Sequence, residues 1–237
     1  MNILAIGAHQ DDIEINCAGT LAKYADLGHK VFIATSTNGN VGSNYMSMEE
    51  TAKTRKEEAK KSASLIGAEY ICLDYDDEFL YDDVEARLKF LDLARYCKPD
   101  VILTHYGVDY LTDHERTGKM INDIVVLMPV AKIKTKNPPV EKFPSVYYFE
   151  PSLGMGFVPT DYVDITDYYD TKCKMLLCHE SQKTWLSENY GGKADEVLLD
   201  TIRIPAEFRG RQCGVKYAEG FVRCGKAYRM TPSRLLP

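Results

Sequence analysis

Short apolar runs alternate with longer amphipathic stretches along the first 130 residues of the chain. The apolar runs are rich in β-branched residues, as in strands buried on both faces, and predict strands at residues 2–8, 30–37, 70–75 and 100–105. Apolar side chains at helical spacing predict helices at residues 17–28, 48–66, 83–96 and 115–127. Strands separated by helices of this length form βαβ units. We therefore predict an α/β fold with a Rossmann-like, mostly parallel sheet and helices on both faces.

The last third of the chain is less regular. Residues 131–144 (AKIKTKNPPVEKFP) are rich in lysine and proline, which is typical of a solvated connecting loop. Beyond this loop, the pattern predicts a strand at 145–151, a helix at 168–189 and a strand at 215–224. A chain of 237 residues with 45% hydrophobic positions fits one compact unit. We predict a single domain over residues 1–237, with a core at 1–130 and a small C-terminal extension at 131–237 that completes the fold and the pocket.

Charge and cysteine usage narrow the range of partners. With 29 basic and 35 acidic side chains, the formal net charge is −6, which offers no general attraction to nucleic acid or to anionic membranes. No apolar run approaches the roughly 20 residues of a membrane span, and the chain opens on a strand-like run instead of a secretory signal. The seven cysteines are scattered without a CxxC pair, as in a reducing compartment. We expect a cytoplasmic protein with a small-molecule partner, and homo-oligomer formation stays open.

Polar residues cluster where three of the predicted strands end. The segments concerned are 9–12 (HQDD), 38–43 (NGNVGS) and 105–114. Because ligands gather at the carboxyl ends of parallel strands, we expect these segments to share one site. A dinucleotide site would require GxGxxG at the first turn, yet Gly7 stands alone there, and Ser36 and Thr37 close the second strand instead of an acidic residue. The sequence therefore argues against a nucleotide-dependent oxidoreductase.

The first of these segments has the composition of a metal site. His9 and Asp12 lie three residues apart where a strand turns into a helix, so both side chains can reach one point. Catalytic zinc takes three protein ligands and leaves the fourth position to water. His114, next to Asp113 at the start of a later helix, is the candidate third ligand. Such a site would lower the pKa of a bound water, and Asp11 would act beside it as the general base.

Structural interpretations exist for the same residues. A pair of aspartates after a strand commonly caps a helix, and a single histidine at a strand end is commonly structural. A tight turn explains the glycines of residues 38–43 without any ligand. We expect structural roles for His29 and His179, and packing on a helix face for Cys173 and Cys178, whose spacing is wrong for a zinc site.

Taken together, the motifs resemble those of the PIG-L/LmbE-like deacetylases of N-acetylglucosamine conjugates. The AHPDD sequence of that family stands here as AHQDD at residues 8–12, and its HPDH sequence stands as LTDH at residues 111–114. TNGNVGS is similar to the family's TxGxxGS loop, and the helix with Arg55 and Glu58 is similar to its RxxE helix. CHESQ and VKYAEGF are similar to its C-terminal segments, so the resemblance extends over most of the chain.

The resemblance implies a metal-dependent hydrolase that removes the N-acetyl group from an N-acetylglucosamine-type conjugate and gives acetate and a free amine. It implies Zn²⁺ held by His9, Asp12 and His114, with Asp11 as the base, although these ligands also suit other divalent ions. Asp113 would support the ligands from beside His114.

Three further residues are candidates for contacts with the conjugate. Arg55 could hold sugar hydroxyls or a carboxylate through its forked guanidinium, or be a solvated helix charge paired with a neighbouring glutamate. Asn40 and Ser43 of the glycine loop could line the same pocket. The sequence alone does not decide among these roles.

The chain departs from the family pattern at two positions. Gln10 replaces a proline and removes no ligand, whereas Leu111 replaces a histidine that, in the family, is oriented by the neighbouring aspartate and helps to stabilise the oxyanion. Asp113 therefore lacks its expected partner. One branch of the family has a tyrosine where this chain has Asp109; Tyr110 and His105 are close in sequence, without an assigned role.

Two other functions stay open. One is hydrolysis of a different amide or of an ester, because the site determines the reaction class better than it determines the acyl acceptor. The other, suggested by Leu111, is metal binding with weak or lost catalysis.

Overall fold

One mixed β-sheet runs through the computed structural model, which describes residues 1–190 and 194–237. Within these residues, seven strands pair in the order β3-β2-β1-β4-β5-β7-β6. The strands are β1 (Asn2–Gly7), β2 (Lys30–Thr37), β3 (Glu69–Tyr75), β4 (Val101–His105), β5 (Ser145–Phe149), β6 (Asp161–Asp164) and β7 (Ala218–Arg223). The first five are parallel, while β7 pairs antiparallel with both β5 and β6. The predicted α/β, mostly parallel sheet is confirmed.

Helices cover both faces of this sheet. They are α1 (Asp12–Asn16), α2 (Ala18–Asp26), α3 (Met48–Ser64), α4 (Val84–Cys97), α5 (Thr112–Ile124), α6 (Tyr169–Leu176), α7 (Glu180–Tyr190) and α8 (Ala194–Cys213). Because successive strand residues point to opposite faces, Ile3 of β1 packs with residues of α1, α2, α6 and α8, whereas Leu4 packs with α4 and α5. Among the described residues, no helix combines the length and the apolarity needed to cross a membrane.

The C-terminal strands join the same sheet as the N-terminal ones. Glu219 of β7 is buried, and its carboxylate accepts the N–H groups of Gly19 (3.0 Å) and Thr20 (2.8 Å) at the start of α2. The ammonium of Lys172 in α6 pairs with the same carboxylate. Residues separated by about 200 positions in the chain thus share one buried ionic contact, which joins β7 to α2.

Several elements differ from the sequence predictions. The predicted helix at 168–189 is two helices, α6 and α7, because the chain turns between them and buries His179 beside Glu14 of α1. Helix α8 was not predicted, since Pro205 lies inside it and argues against a helix. Strand β6 was not predicted either. It has only four residues with an aspartate at each end, and this sequence lacks the alternation of apolar and polar residues that indicates a strand.

Close packing brings α5 against β4 near the ends of the strands. Gly118 of α5 faces the backbone of His105, and a Cβ at this glycine would lie 2.4 Å from the His105 carbonyl oxygen. Helix α5 begins at Thr112, two residues before His114. The absence of a side chain at residue 118 therefore fixes how close His114 lies to the end of β4.

We expect Gly118→Ala to lower the free energy of unfolding by about 1–2 kcal/mol net. The new methyl group would overpack a rigid strand carbonyl at a cost of about 2–3 kcal/mol, and helix propensity returns about 1 kcal/mol. Urea denaturation measures the change. The matched control is Gly225→Ala, where nothing lies within 4 Å of the new carbon, and its effect should stay within about 0.5 kcal/mol. Equal stabilities of the two variants would show that α5 can move away from β4 at little cost.

Candidate active site

The three predicted metal ligands lie together where β1 and β4 end. The distance is 3.2 Å from His9 Nδ1 to His114 Nε2, 3.7 Å from His9 Nδ1 to Asp12 Oδ2, and 3.3 Å from His114 Nε2 to Asp12 Oδ1. Asp12 and His114 are buried, and His9 is partly exposed. Two imidazole nitrogens and a carboxylate thus lie close together, as expected from the sequence. Their role as metal ligands stays a prediction.

The turn from β1 into α1 holds the two ligands of the first loop. The Asp12 carboxylate accepts the backbone N–H of His9 at 2.7 Å, which closes this turn. Gly7 makes room for it, since a Cβ there would lie 2.7 Å from the Cβ of Asp12. Asp11 is the residue before α1, yet its side chain makes no capping hydrogen bond. Helix capping therefore does not explain Asp11, whose carboxylate is free for another partner.

Each imidazole has a second carboxylate behind it. His9 Nε2 lies 3.7 Å from Asp113 Oδ2, and His114 Nδ1 lies 3.1 Å from Asp109 Oδ1. Leu111 offers Asp113 no imidazole, and His9 approaches Asp113 from the other strand end instead. The same Asp113 oxygen accepts the N–H of Glu78 at 2.6 Å. Metal-binding histidines in proteins commonly have such carboxylate partners on the outer ring nitrogen.

His105 is part of the cluster, although no role was predicted for it. It ends β4 and is buried, with Nε2 at 3.0 Å from Asp12 Oδ2. Its ring stacks on that of His114, with 4.1 Å between centroids and 18° between planes. Its position in the sequence could have indicated a role, because His105 opens the polar segment 105–114 that also contains Asp109 and His114.

Buried charges shift the pKa values of the cluster. Burial opposes the charged form of His9, but its contacts with Asp113 and Asp12 outweigh this effect and raise the pKa of His9 to about 9. In the same way, Asp12 and Asp109 overcome burial and raise the pKa of His114 to about 10. Burial and the neighbouring His114 lower the pKa of His105 to about 4. The neighbouring imidazoles hold the pKa of Asp12 well below its usual range despite burial.

These residues fit a divalent metal ion. The Nε2 atom of His105 lies 2.9 Å from the backbone nitrogen of Ala8 and 3.0 Å from Asp12 Oδ2. Ligand-type atoms of His9, Asp12 and His114 lie within 4.8 Å of one another in a largely buried space, as the ligands of one ion do. Two imidazoles with one carboxylate are also a common ligand set for such ions. The cluster is therefore able to bind a metal.

Arg55 of α3 contacts the predicted base. Its Nη2 atom donates to Asp11 Oδ1 at 3.0 Å, and its Nη1 atom lies 4.0 Å from Asp77 Oδ2. The side chain is only 4% exposed, which excludes the alternative of a solvated helix charge. Gly39 leaves room for it, since a Cβ there would lie 2.8 Å from Arg55 Cδ. The guanidinium thus holds Asp11 beside the cluster, and its contact with a substrate stays a prediction.

The two polar residues of the glycine loop make contacts within the protein. The Asn40 amide donates to Asp76 Oδ1 at 2.7 Å and accepts the N–H of Asp77 at 3.2 Å. The Ser43 hydroxyl accepts the N–H groups of Tyr45 and Met46, both at 3.2 Å. These bonds give the loop its shape at the edge of the site. Substrate contacts by either residue stay a prediction.

Leu111 precedes α5 and supplies no polar group to the site. Its neighbour Tyr110 is largely exposed, and its ring meets the His114 ring edge to face, with centroids 5.6 Å apart. Partial burial and the nearby Asp12 and Asp109 carboxylates raise the pKa of Tyr110 to about 12, so the phenol stays protonated at neutral pH. The Tyr110 ring therefore borders the cluster at His114, one residue before the position where the histidine is missing.

The histidines and cysteines expected to be structural lie in other contacts. His29 is half-buried and its Nδ1 lies 3.1 Å from the N-terminal amine, while His179 is buried 3.4 Å from Glu14. The seven cysteines are all free thiols.

Several known proteins are similar to this chain in sequence and in fold. Residues 4–125, about half of the chain, match the family described as PIG-L, GlcNAc-PI de-N-acetylase. The chain is 27% identical over 230 residues to diacetylchitobiose deacetylase of Thermococcus kodakarensis, covering 92% of this chain and 81% of that protein. It is 25% identical over 193 residues to 4-oxalmesaconate hydratase of Pseudomonas putida, covering 76% and 73%. The inhibitor complex of N,N'-diacetylchitobiose deacetylase from Pyrococcus horikoshii has a TM-score of 0.80 at 28% identity, covering 97% of this chain and 86% of that one.

We expect binding of Co²⁺, used as a probe, to release about two protons. The raised pKa values of His9 and His114 keep both imidazoles protonated at neutral pH in the metal-free protein, whereas metal ligands are neutral. Protons therefore compete with the ion, and the apparent affinity should fall up to about 100-fold for each pH unit below about 9. Calorimetry in buffers of different ionisation enthalpy counts the protons. His29→Gln is the control with an unchanged count, and release of no protons by the wild type would contradict the assignment.

Proposed function

Because the chain belongs to the PIG-L, GlcNAc-PI de-N-acetylase family, we propose that it is a metal-dependent N-deacetylase. Its substrate is an N-acetylglucosamine-type conjugate, and its products are acetate and a free amine. The observation that carries the proposal is the buried His9, Asp12 and His114 cluster with the Asp11 carboxylate held beside it. Two of the relatives described above are named as diacetylchitobiose deacetylases, which supports this substrate class.

His9, Asp12 and His114 would hold the metal ion. We propose Zn²⁺, because two imidazoles and one carboxylate leave a fourth tetrahedral position open, although the same donors suit other divalent ions. When bound, the ion supplies Lewis acidity toward the acetamide carbonyl and lowers the pKa of water. Asp113 and Asp109 keep the two imidazoles oriented toward this point.

Asp11 moves the proton in this mechanism. Its carboxylate accepts a proton from the attacking water while the water oxygen bonds to the acetamide carbon. The same proton then passes to the sugar nitrogen as the carbon–nitrogen bond breaks, so that acetate and an amine leave without a net change in the enzyme. Arg55 restrains the carboxylate through the 3.0 Å bond to Asp11 Oδ1.

We propose that residues 1–237 act as one domain, because β5, β6 and β7 extend the sheet that carries the site. The conjugate would enter from the carboxyl edge of the strands, next to Asn40, Ser43 and Arg55. We place the reaction in the cytoplasm, since seven free thiols suit a reducing compartment.

Hydration of a carbon–carbon double bond is the second candidate. It is favoured by the 25% identity to 4-oxalmesaconate hydratase over 76% of this chain. A carboxylate that accepts a proton from water would serve both reactions. Hydration differs because it has no leaving amine to protonate. A substrate panel that contains unsaturated dicarboxylic acids beside N-acetylated sugars separates the two.

We expect the zinc-loaded protein to release amine from at least one N-acetylglucosamine conjugate, and Asp11→Asn to reduce the rate about 10²–10⁴-fold. The asparagine keeps the size of the side chain but cannot accept the proton. Because Asp11 is not one of the predicted ligands, the amount of bound zinc should be unchanged. Amine labelling follows turnover and atomic absorption follows the metal. The matched control is Asp26→Asn, an aspartate at the end of α2 whose carboxylate contacts Tyr168.

Full activity of Asp11→Asn would refute the role of Asp11 as the base. If the wild type binds zinc and releases no amine from any conjugate, the deacetylase proposal fails. Turnover of another amide, of an ester or of an unsaturated acid in the same panel would then identify the reaction class.

We expect Arg55→Gln to lower kcat about 10–100-fold with little change in bound metal. The substitution removes a charged hydrogen bond to Asp11, and such bonds contribute about 1.5–3 kcal/mol. Steady-state kinetics separates two roles, since loss of positioning lowers kcat, whereas loss of substrate contact raises KM at constant kcat. A rise in KM alone would favour the substrate-binding prediction for Arg55. Arg203→Gln, which removes an exposed arginine of α8, serves as the control.

A further inference from the structure

An open cavity of about 330 Å³ lies between α3, α7 and the glycine loop of residues 38–43. Its wall includes Ser43, Tyr45, Thr54, Glu58, Glu180 and Trp185. Neither the predicted metal ligands nor Asp11 belong to the described residues that line it, so the proposed reaction leaves the cavity without a role. Ligand pockets in proteins commonly have volumes of about 300–1,000 Å³. The cavity therefore has room for one part of a conjugate.

Arg55 connects this cavity with the proposed active site. Thr54 and Glu58, which line the cavity, flank Arg55 on α3, and Arg55 Nη2 donates to Asp11 Oδ1 at 3.0 Å. On the loop side, a Cβ at Gly42 would collide with Arg55 Nη1, and the next residue of the loop lines the cavity. One arginine side chain and one glycine thus separate the cavity from the predicted base. A substrate longer than one sugar can occupy both places.

Hydrogen bonds between three elements form the wall of the cavity. The Glu58 carboxylate of α3 is buried and accepts both the N–H and the hydroxyl of Ser181 in α7, at 2.8 Å and 2.7 Å. Gln182 of α7 donates through Nε2 to the carbonyl oxygen of Gly42 at 3.1 Å. These bonds join α7 to α3 and to the glycine loop. Because the wall is already formed, binding there costs little ordering of the protein.

The wall combines aromatic rings with hydrogen-bond acceptors. Tyr45 is 63% exposed, and its backbone N–H is held by the Ser43 hydroxyl at 3.2 Å. Trp185 is half-buried and lines the cavity from α7. The carboxylates of Glu58 and Glu180 supply acceptors beside these rings. A sugar ring has apolar C–H faces and a rim of hydroxyl donors, so it matches both features.

The charge of the wall argues against other occupants. The carboxylates of Glu58 and Glu180 line the cavity, whereas none of its described lining residues is basic. Lys183 pairs with Glu180 at 3.0 Å but is not part of the wall. A phosphate or carboxylate group would therefore meet like charges, and an alkyl chain would cover the carboxylates without donating to them. A neutral sugar avoids both penalties.

We propose that the cavity binds a second, uncharged sugar of the conjugate. The rings of Tyr45 and Trp185 pack against this sugar. The carboxylates of Glu58 and Glu180 accept hydrogen bonds from its hydroxyl groups. The inference rests on the proposed function, because it takes the N-acetyl group of the first sugar to lie beside Asp11. It makes Tyr45 a determinant of specificity for a disaccharide over a monosaccharide.

The first test uses the fluorescence of Trp185, the only tryptophan of the chain. The protein is freed of metal with a chelator and titrated with a disaccharide of two N-acetylglucosamine units. We expect a saturable change of emission with the disaccharide, and no change with N-acetylglucosamine at the same concentrations. Tyr45→Ala should weaken the apparent affinity about 3–10-fold, because it removes one aromatic contact.

Tyr96→Ala is the matched control for this titration. It removes a half-exposed tyrosine at the end of α4, where the Cys97 carbonyl oxygen contacts Asn2 at the start of β1, far from the cavity. Thermal unfolding establishes that both variants are folded. Emission that does not respond to the disaccharide, or equal affinities of Tyr45→Ala and wild type, would overturn the proposal.

The second test compares kcat and KM of the zinc-loaded protein for several substrates. Binding of a remote sugar contributes free energy to the reaction, so we expect kcat/KM to be about 10-fold higher for the disaccharide than for N-acetylglucosamine. Tyr45→Ala should raise KM for the disaccharide at constant kcat and leave the values for the monosaccharide unchanged. A general loss of structure would change both substrates alike.

Two further substrates identify what the cavity accepts. They are N-acetylglucosamine with an alkyl group at the anomeric oxygen and N-acetylglucosamine with a phosphate at the same oxygen. We expect neither to gain over the monosaccharide. A gain by either one that equals the gain of the disaccharide, and that Tyr45→Ala removes, would contradict an uncharged sugar in the cavity.

The outcomes separate the inference from the proposed function. If no conjugate is hydrolysed but the disaccharide changes the emission of Trp185 and Tyr45→Ala weakens its binding, the reaction is refuted and the sugar site stands. If conjugates are hydrolysed but the monosaccharide and the disaccharide behave alike in both tests, the second-sugar site alone is refuted.

Discussion

The buried carboxylate of Asp12 is the constraint on which the site depends. An ionised group removed from water costs several kcal/mol unless other groups replace its hydration. Here the N–H of His9 and the rings of His105 and His114 surround it, while Gly7 leaves room for the close approach. Because the compensating groups come from two strand ends, the carboxylate can be buried only when β1 and β4 are neighbours in the sheet.

A layered arrangement of charge follows from this constraint. The inner layer consists of the atoms that face the common point, and Asp113 and Asp109 form the outer layer behind His9 and His114. Arg55 belongs to neither layer, because it reaches Asp11 from α3 and supplies a positive charge from the side. Each acidic group near the point thus has a basic partner, which is how the fold keeps so many ionisable groups in a buried space.

The sequence revealed the parts of this design that depend on position along the chain. Strand β2 was predicted at its observed bounds because a run buried on both faces has a continuous apolar pattern. His9, Asp12 and His114 were predicted because each lies between the end of a strand and the first turn of the next helix. The role of His105 could not be predicted, since it depends on ring stacking and on the direction of a single backbone N–H. Likewise, the contact between His9 and Asp113 joins residues about 100 positions apart, and only the folded chain reveals it.

The ionic contact of Glu219 bears on how this protein can vary over evolution. The family match ends at residue 125, beyond which the chain still supports the matched part. The start of α2 depends on a carboxylate from β7, and that carboxylate pairs with a lysine from α6. Exchange of the C-terminal portion with that of a relative would remove Glu219 and Lys172 together and leave the N–H groups of Gly19 and Thr20 without their carboxylate, unless the new portion supplies one at the same place. The motif-bearing half is therefore not a self-sufficient module, and a carboxylate at residue 219 is expected to persist as long as α2 begins where it does.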